Sequence, residues 1–164
     1  TSENFALVQR MAIWQAAWEM FLDHPLLGVG LGNFDVVYPR YALPGWPQLP
    51  GHAHNYYLNL LAEAGFLGLG AYLALLAYLG VRLCQAARRL RSLLDQGGPN
   101  ADVPQLYGVT LGAIGLLAVV TVHHLFDNLY VHGMMTQVGL ILGLGLAAPE
   151  VAARAAKKGS GETQ

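Results

Sequence analysis

Three long stretches of the sequence are mostly apolar and contain no Asp, Glu, Lys or Arg. They comprise residues 64–81, 103–126 and 128–149. A helix needs about 20 mostly apolar residues to cross the roughly 30 Å hydrocarbon core of a bilayer. Because each stretch has about that length, the pattern predicts three membrane-spanning helices. Their expected bounds are about 65–83, 106–126 and 129–148.

A different pattern precedes the first of these stretches. Five apolar residues recur at spacings of three and four: Leu7, Met11, Trp14, Trp18 and Phe21. This periodicity predicts an amphipathic helix over residues 2–22, which we expect to lie on the membrane surface or against other helices. Pro25 ends that helix, and residues 26–53 form a loop rich in glycine, proline and aromatic residues. A short helix over residues 55–64 is expected to lead into the first span.

The composition agrees with a membrane location. Only 12% of the 164 residues are charged, whereas about 25% is typical of soluble domains. The net charge of -1 creates no basic field, which argues against a nucleic-acid partner. The predicted fold class is therefore all-α, a polytopic helical membrane protein. Its expected parts are an external region at 1–64, a membrane region at 65–148 with a cytoplasmic loop at 84–105, and a disordered cytoplasmic tail at 149–164.

Basic residues indicate which ends of the spans face the cytoplasm. They follow the first span and the third: Arg82, Arg88, Arg89, Arg91, Arg154, Lys157 and Lys158. Cytoplasmic flanks of membrane helices carry an excess of Lys and Arg, so both segments are predicted to be cytoplasmic. Residues 1–63 hold only Arg10 and Arg40 against five acidic residues. We therefore expect this region, and the turn that contains Asp127, to lie outside.

One motif joins the external region to the first span. His54 and Asn55 are followed by nine residues and then by Gly65-Phe66-Leu67-Gly68. Upstream stand the stretches RMAIW at 10–14 and HPLLGVGLGNF at 24–34. The motif and these stretches resemble the O-antigen ligase and polymerase superfamily of bacterial envelope membrane proteins, over roughly residues 8–80. Leu69 stands where the ligases often carry Thr or Val, so the choice between ligase and polymerase stays open.

The resemblance implies a function and a location. Members of this family are metal-independent glycosyltransferases without a cofactor. They transfer a glycan from an undecaprenyl diphosphate carrier to the hydroxyl of a glycan or lipid acceptor, on the outer side of the inner membrane. Complete members have about a dozen spans. The chain therefore resembles a C-terminal part that carries the large periplasmic loop, with membrane lipids and the remaining transmembrane helices as its partners.

The residues of the motif suit this chemistry. A histidine has an ordinary pKa of about 6.5, so a neutral imidazole can remove a proton from an acceptor hydroxyl, and we assign this role to His54. An arginine can bind phosphate oxygens bidentately, and we assign the diphosphate to Arg10, with Arg40 as a second candidate. Asn55 is expected to cap the following helix and, with His52, to contribute to substrate binding.

Other interpretations use the same residues. His54 could be an ordinary loop histidine, and Arg10 a helix-surface residue or a cation–π partner of Trp14. A metal could be held by His52 with His54, or by His123 and His124 with Asp127, although the sequence contains no Asp-x-Asp pair and we predict no metal site. The second trio is expected instead to form a polar cluster at the outer end of the second span. The alternative function is a non-catalytic membrane fragment that binds lipid-linked glycan or a partner membrane protein.

Overall fold

A computed structural model describes residues 4–96, 102–130 and 133–161, and all regular secondary structure in these ranges is helical. Its helices are α1 (Phe5–Asp23), α2 (Phe34–Val37), α3 (Tyr56–Asp95), α4 (Val103–His123) and α5 (Met134–Gly161). A 3-10 turn, Tyr38–Arg40, follows α2. The all-α prediction is therefore confirmed, with no strand in the described ranges.

Three of these helices, α3, α4 and α5, have the length and the apolar composition needed to cross a membrane. The first predicted span, 65–83, lies within α3, whereas the second and third only overlap α4 and α5, because α4 ends at His123 and α5 begins at Met134. The chain divides into two compact units, one formed by Thr1–Ala74 and Val122–Leu129, the other by Leu75–Thr121 and Tyr130–Gln164. All the site residues predicted from the sequence, including Arg10 and His54, belong to the first unit.

The prediction of a loop at 84–105 is wrong over most of its length, whereas the cytoplasmic side assigned to this segment stays a prediction. Helix α3 continues to Asp95 and α4 already begins at Val103, while residues 97–101 of the loop lie outside the described residues. Residues 83–95 are rich in Ala, Arg and Leu, which favour a helix. Leu83, Ala86 and Leu90 are buried, so packing also stabilises this extension beyond the predicted end of the span.

The expectation of a disordered tail at 149–164 is also wrong for its described part, because α5 extends to Gly161. Ala148 and Ala152 are buried against Leu90 and Val103, which holds the helix past the end of the apolar stretch. Residues 162–164 lie outside the described residues.

Pro149 lies inside α5 and has no N–H to donate to the carbonyl of Gly145, four residues earlier. The hydroxyl of Thr110 lies 3.2 Å from this carbonyl oxygen and 2.9 Å from that of Leu106, so its one proton can be shared between them. Gly145 also allows close packing, because a Cβ atom there would lie 2.5 Å from the Cβ atom of Ala113.

Helix α1 forms where the periodicity predicts it, but a different side is buried. Ile13, Ala16, Ala17 and Met20 pack in a core with residues of the following loop and of α3: Phe34, Tyr38, Ala53 and Ala62. The predicted apolar stripe is instead largely exposed, since Leu7, Met11 and Trp18 are 60%, 58% and 46% exposed. The small side chains of the two alanines allow close packing, which a stripe of larger residues would prevent.

A break at Gly65 divides α3 into a short first part and the long apolar part. Gly65 has φ 63° and ψ -161°, a conformation open in practice only to glycine. The preceding loop supplies the hydrogen-bond partners that the break removes from the helix. The carbonyl oxygens of Ala62 and Glu63 accept from the N–H groups of Val29 and Gly30, each at 2.9 Å, and the N–H of Phe66 donates to Pro25 at 2.8 Å.

The contact between the loop and α3 explains why glycine stands at Gly28 and at Gly65. A Cβ atom at Gly65 would lie 2.4 Å from the carbonyl carbon of Leu26, and one at Gly28 would lie 2.2 Å from that of Glu63. Gly68 is close to the side chain of Ala64, one turn before it. The loop and the broken helix can therefore meet backbone to backbone only if these positions have no side chain.

Candidate functional site

The candidate site lies in the loop just before α3, where Ala53 is held from two sides. The indole N–H of Trp14 in α1 donates to the carbonyl of Ala53 at 2.8 Å. The N–H of Ala53 donates to the side-chain oxygen of Asn59, in the first part of α3, at 2.9 Å. Both polar groups of this buried residue are thus satisfied, and the position of His54 is set relative to two helices.

His54 has an unusual backbone conformation. Its φ of 47° makes it the one non-glycine residue with positive φ among the described residues. Such a conformation costs a non-glycine residue of the order of 1–3 kcal/mol and persists only where its surroundings enforce it. Here the bonds to Ala53 and the start of α3 enforce it. The imidazole of His54 is half-buried, so it remains accessible to a substrate.

Asp127, just after α4, is the partner of this imidazole. Nδ1 of His54 lies 3.2 Å from Oδ1 of Asp127. Because an ionised carboxylate can only accept, this contact places a proton on Nδ1 and leaves the lone pair on Nε2. A histidine in that state can act as a general base through Nε2, while the carboxylate stabilises the imidazolium that forms.

Two further hydrogen bonds hold the segment after α4 against the start of α3. The side-chain N–H of Asn55 donates to the carbonyl of Leu125 at 3.0 Å, and the N–H of Tyr56 donates to the carbonyl of His124 at 2.9 Å. Oδ1 of Asn55 accepts from the N–H of Leu58 at 3.0 Å, which is the helix cap expected for this residue. Asn55 therefore serves to fix the loop and the helix start between which His54 and Asp127 meet.

The charges around Asp127 favour its ionised form. Burial raises the pKa of this carboxyl, but the N–H of Asn128 and the imidazoles of His54 and His52 lower it, and the net pKa lies below the ordinary value. The N–H of Asn128 donates to Oδ1 at 2.8 Å. The pKa of His52 is lowered by burial and by the neighbouring His54. The site therefore combines a carboxylate with a second histidine that favours its neutral form.

His52 lies beside the pair formed by His54 and Asp127. Its Nδ1 accepts the backbone N–H of His54 at 3.1 Å and lies 3.8 Å from Oδ1 of Asp127. The two imidazole rings are 4.3 Å apart between their centroids. The structure therefore brings together two of the predicted site residues, His52 and His54, with Asp127, and these three side chains could hold a metal ion.

The polar cluster expected from His123, His124 and Asp127 does not form. His124 is fully buried, its ring lies 4.5 Å from that of Tyr56, and its Nδ1 is 2.9 Å from the hydroxyl oxygen of Tyr72. Burial and the neighbouring His123 lower the pKa of His124 to about 4. The turn after α4 separates the three residues, because it directs His124 towards α3 and brings Asp127 to His54.

The two predicted arginines are not neutralised within the described part of the chain. Arg10 is exposed on α1, one turn before Trp14, and makes no ion pair, hydrogen bond or ring contact there. Since residues four apart share a helix face, Arg10 lies on the side of α1 that contacts Ala53 through Trp14. Arg40 ends the 3-10 turn, next to Tyr41, whose hydroxyl donates to Asp23 at 2.8 Å.

Comparison with known proteins identifies the segment that contains these features. Residues 2–73 match the family model described as O-antigen ligase. Over these residues the chain is similar to the O-antigen ligase family. A search of curated proteins finds no match.

The O-antigen ligase segment contains all the site residues that we predicted from the motif, including Arg10, His54 and Gly65. It does not contain Asp127, which sequence reasoning missed as the partner of His54. The available signal was weak: Asp127 is the one acidic residue between the second and third apolar stretches, on the predicted external side. The two residues are 73 positions apart, so only the folded chain shows that they meet.

Proposed function

We propose that this chain carries catalytic groups of a bacterial envelope glycosyltransferase. The enzyme transfers a glycan from undecaprenyl diphosphate to the hydroxyl of a glycan or lipid acceptor, on the periplasmic side of the inner membrane. The observation that carries this proposal is the hydrogen bond of Asp127 with His54, the first residue of the motif in the O-antigen ligase segment.

In this mechanism His54 is the general base. Its Nε2 takes the proton of the acceptor hydroxyl as the oxygen attacks the anomeric carbon of the donor. The bond between that carbon and the diphosphate oxygen breaks, and the diphosphate leaves with the electron pair. Asp127 keeps the lone pair of His54 on Nε2 and stabilises the imidazolium that is formed.

Arg10 binds the leaving diphosphate. Negative charge grows on the bridging oxygen as the glycosidic bond breaks, and a guanidinium within reach of the phosphate oxygens stabilises this charge. The support for this assignment is that Arg10 is exposed, is unpaired within the described residues and lies one turn from Trp14, the residue that contacts Ala53. Arg40 is the second candidate, because it is also exposed.

The three apolar helices support a membrane location, which suits a donor with a polyprenyl tail. The proposed topology has the loop with His54 in the periplasm and the ends of α3 and α5 in the cytoplasm. The remaining transmembrane helices of the protein, together with membrane lipids, would complete the binding site for the donor.

The test measures transfer of labelled glycan by the complete protein, purified in detergent and supplied with undecaprenyl-diphosphate glycan and acceptor in EDTA. Lipid A core and a second lipid-linked repeat unit are supplied in separate reactions, which distinguishes a ligase from a polymerase. We expect His54→Ala and Arg10→Ala each to lower transfer at least about 100-fold, because they remove the base and a charge on the leaving group.

Matched controls are His123→Ala, an exposed histidine at the end of α4, and Arg91→Ala, an arginine paired with Asp95 in α3. Both should retain wild-type transfer. If both site variants transfer glycan at the wild-type rate, the assigned roles are wrong. If the wild-type protein binds the donor but transfers glycan to neither acceptor, the alternative of a non-catalytic binding protein is favoured.

A further inference from the structure

We propose that His52, His54 and Asp127 form a binding site for a divalent transition-metal ion such as Zn²⁺, and that the bound ion inhibits transfer. One ligand atom from each of the three side chains lies within 4.8 Å of the others. Within the described ranges this is the one group of three or more His, Cys, Asp or Glu side chains with that property.

The separations fit a tetrahedral ion. Zinc bound at about 2.0–2.2 Å from nitrogen and oxygen ligands places neighbouring ligand atoms about 3.3–3.6 Å apart. Oδ1 of Asp127 lies 3.2 Å from Nδ1 of His54 and 3.8 Å from Nδ1 of His52. These two distances lie just below and just above the ideal range, and all three ligand atoms lie within 4.8 Å of one another, so rotation of the side chains can bring them to an ion.

The ligand set determines the class of ion. Two imidazoles and one carboxylate suit zinc and its neighbours, whereas calcium prefers six to eight oxygen ligands and magnesium a nearly octahedral oxygen shell. The side chains of His52, His54 and Asp127 are 25%, 30% and 38% exposed, so an ion can reach them from solvent. With three protein ligands, the fourth position is left for water.

Inhibition follows from the tautomer of His54. In the pair with Asp127, the proton lies on Nδ1 and the lone pair on Nε2. A metal ion bound at Nδ1 requires the lone pair there, and the proton of the neutral ring then moves to Nε2. Nε2 can no longer accept a proton from the acceptor hydroxyl. His54 therefore cannot bind the ion and act as the base at the same time.

His52 can bind the ion through Nδ1 without a change of tautomer. Its Nδ1 already carries a lone pair, because it accepts the N–H of His54. The ion takes this lone pair in place of the hydrogen bond. The N–H of Asn128 donates to Oδ1 of Asp127 and orients the carboxylate, as partners of metal ligands commonly do.

The effect on transfer rests on the proposed function, but ion binding does not. Binding is therefore measured first, with Co²⁺ as the probe, because four-coordinate Co²⁺ absorbs visible light. The complete protein is prepared with a tag that lacks histidines, treated with EDTA and exchanged into buffer without chelator. We expect one saturable Co²⁺ site from which Zn²⁺ displaces the cobalt.

Three variants locate the site. His52→Ala and Asp127→Asn should each weaken Co²⁺ binding at least about tenfold, whereas the matched control His123→Ala should bind as the wild type does. Gel filtration and thermal melting show whether each variant is folded. No saturable Co²⁺ binding by folded wild type, or equal binding by all variants, overturns the proposal.

The second measurement is transfer in the presence of Zn²⁺. We expect Zn²⁺ in excess of the protein to lower wild-type transfer at least about tenfold, and EDTA to restore it. The transfer that His52→Ala retains should be insensitive to Zn²⁺. Saturable binding without inhibition overturns the inhibitory role. Metal binding by a protein without any transferase activity contradicts the proposed function and leaves the metal site in place.

Discussion

At the scale of single residues, the main finding is that His54 and Asp127 meet in the folded chain. A histidine next to the start of a helix has many ordinary roles. A histidine with positive φ, whose Nδ1 faces a carboxylate, has one nitrogen prepared to accept a proton. The strain at His54 is offset by the hydrogen bonds of Ala53 and by the start of α3, which hold the ring against Asp127.

This pairing predicts the effect of Asp127→Asn. The amide can donate to Nδ1, which would move the lone pair of His54 away from Nε2. We expect the rate of glycan transfer to fall about 100- to 10,000-fold, with little change in the binding of the donor. Steady-state kinetics of the complete protein in EDTA would measure this. Asp95→Asn, a change at an exposed ion pair in α3, is the control, and equal activity of both variants would contradict the role of Asp127.

At the scale of elements, the break in α3 at Gly65 brings this helix into contact with the loop that starts at Pro25. The loop that starts at Pro25 exchanges backbone hydrogen bonds with the helix on both sides of Gly65. This exchange fixes the direction of the first part of α3, which begins next to His54. The close contacts of Gly28 and Gly65 therefore position the loop that precedes α3 and contains His54.

Gly65→Ala is expected to destabilise the protein by more than about 2 kcal/mol, because alanine disfavours this φ and its Cβ would collide with Leu26. Thermal unfolding in detergent would detect the loss as a lower melting temperature. Gly70→Ala is the matched control, since its Cβ would meet no atom within 4 Å. Equal melting temperatures for the two variants would show that the break does not constrain the fold.

Close packing at Gly145 leads to a separate prediction for the second compact unit. Gly145→Ala would place a Cβ 2.5 Å from that of Ala113 and 3.1 Å from Leu83, which should cost about 1–3 kcal/mol through overpacking. Gly143→Ala meets no atom within 4 Å and should be neutral or slightly stabilising, because alanine favours a helix. Parallel melting curves would compare the two. A Gly145→Ala protein as stable as the wild type would argue against close packing of α4 and α5 at this point.

At the scale of the whole molecule, the distribution of charge predicts the topology. With Cys84 replaced by Ala, single cysteines at Gln48 and Gln96 would report the two sides of the membrane. We expect a membrane-impermeant maleimide to label Gln48→Cys on intact spheroplasts, and Gln96→Cys only after permeabilisation. Both positions are exposed in the structure, so differences in labelling report the membrane side. The reverse pattern would place His54 in the cytoplasm and contradict the proposed function.

Sequence patterns were sufficient where the cause is local. The uncharged stretches are long enough to cross a bilayer whatever they pack against, and their helices form. The ends of α3 and α5 were predicted less well, because the burial of Leu90, Ala148 and Ala152 stabilises these helices beyond their apolar stretches. The buried side of α1 was also missed, since it depends on the close approach that Ala16 and Ala17 allow.

By itself, then, the sequence determined the helical class, the three spans and the motif that marks His54, because hydropathy and spacing act along neighbouring residues. Only the tertiary structure decided that Asp127, and neither His123 nor His124, is the partner of His54. It also decided that Gly65 breaks α3 against the loop from Pro25. The physical reason is that these contacts join distant positions, and their hydrogen bonds and steric limits exist only when the chain brings the groups together.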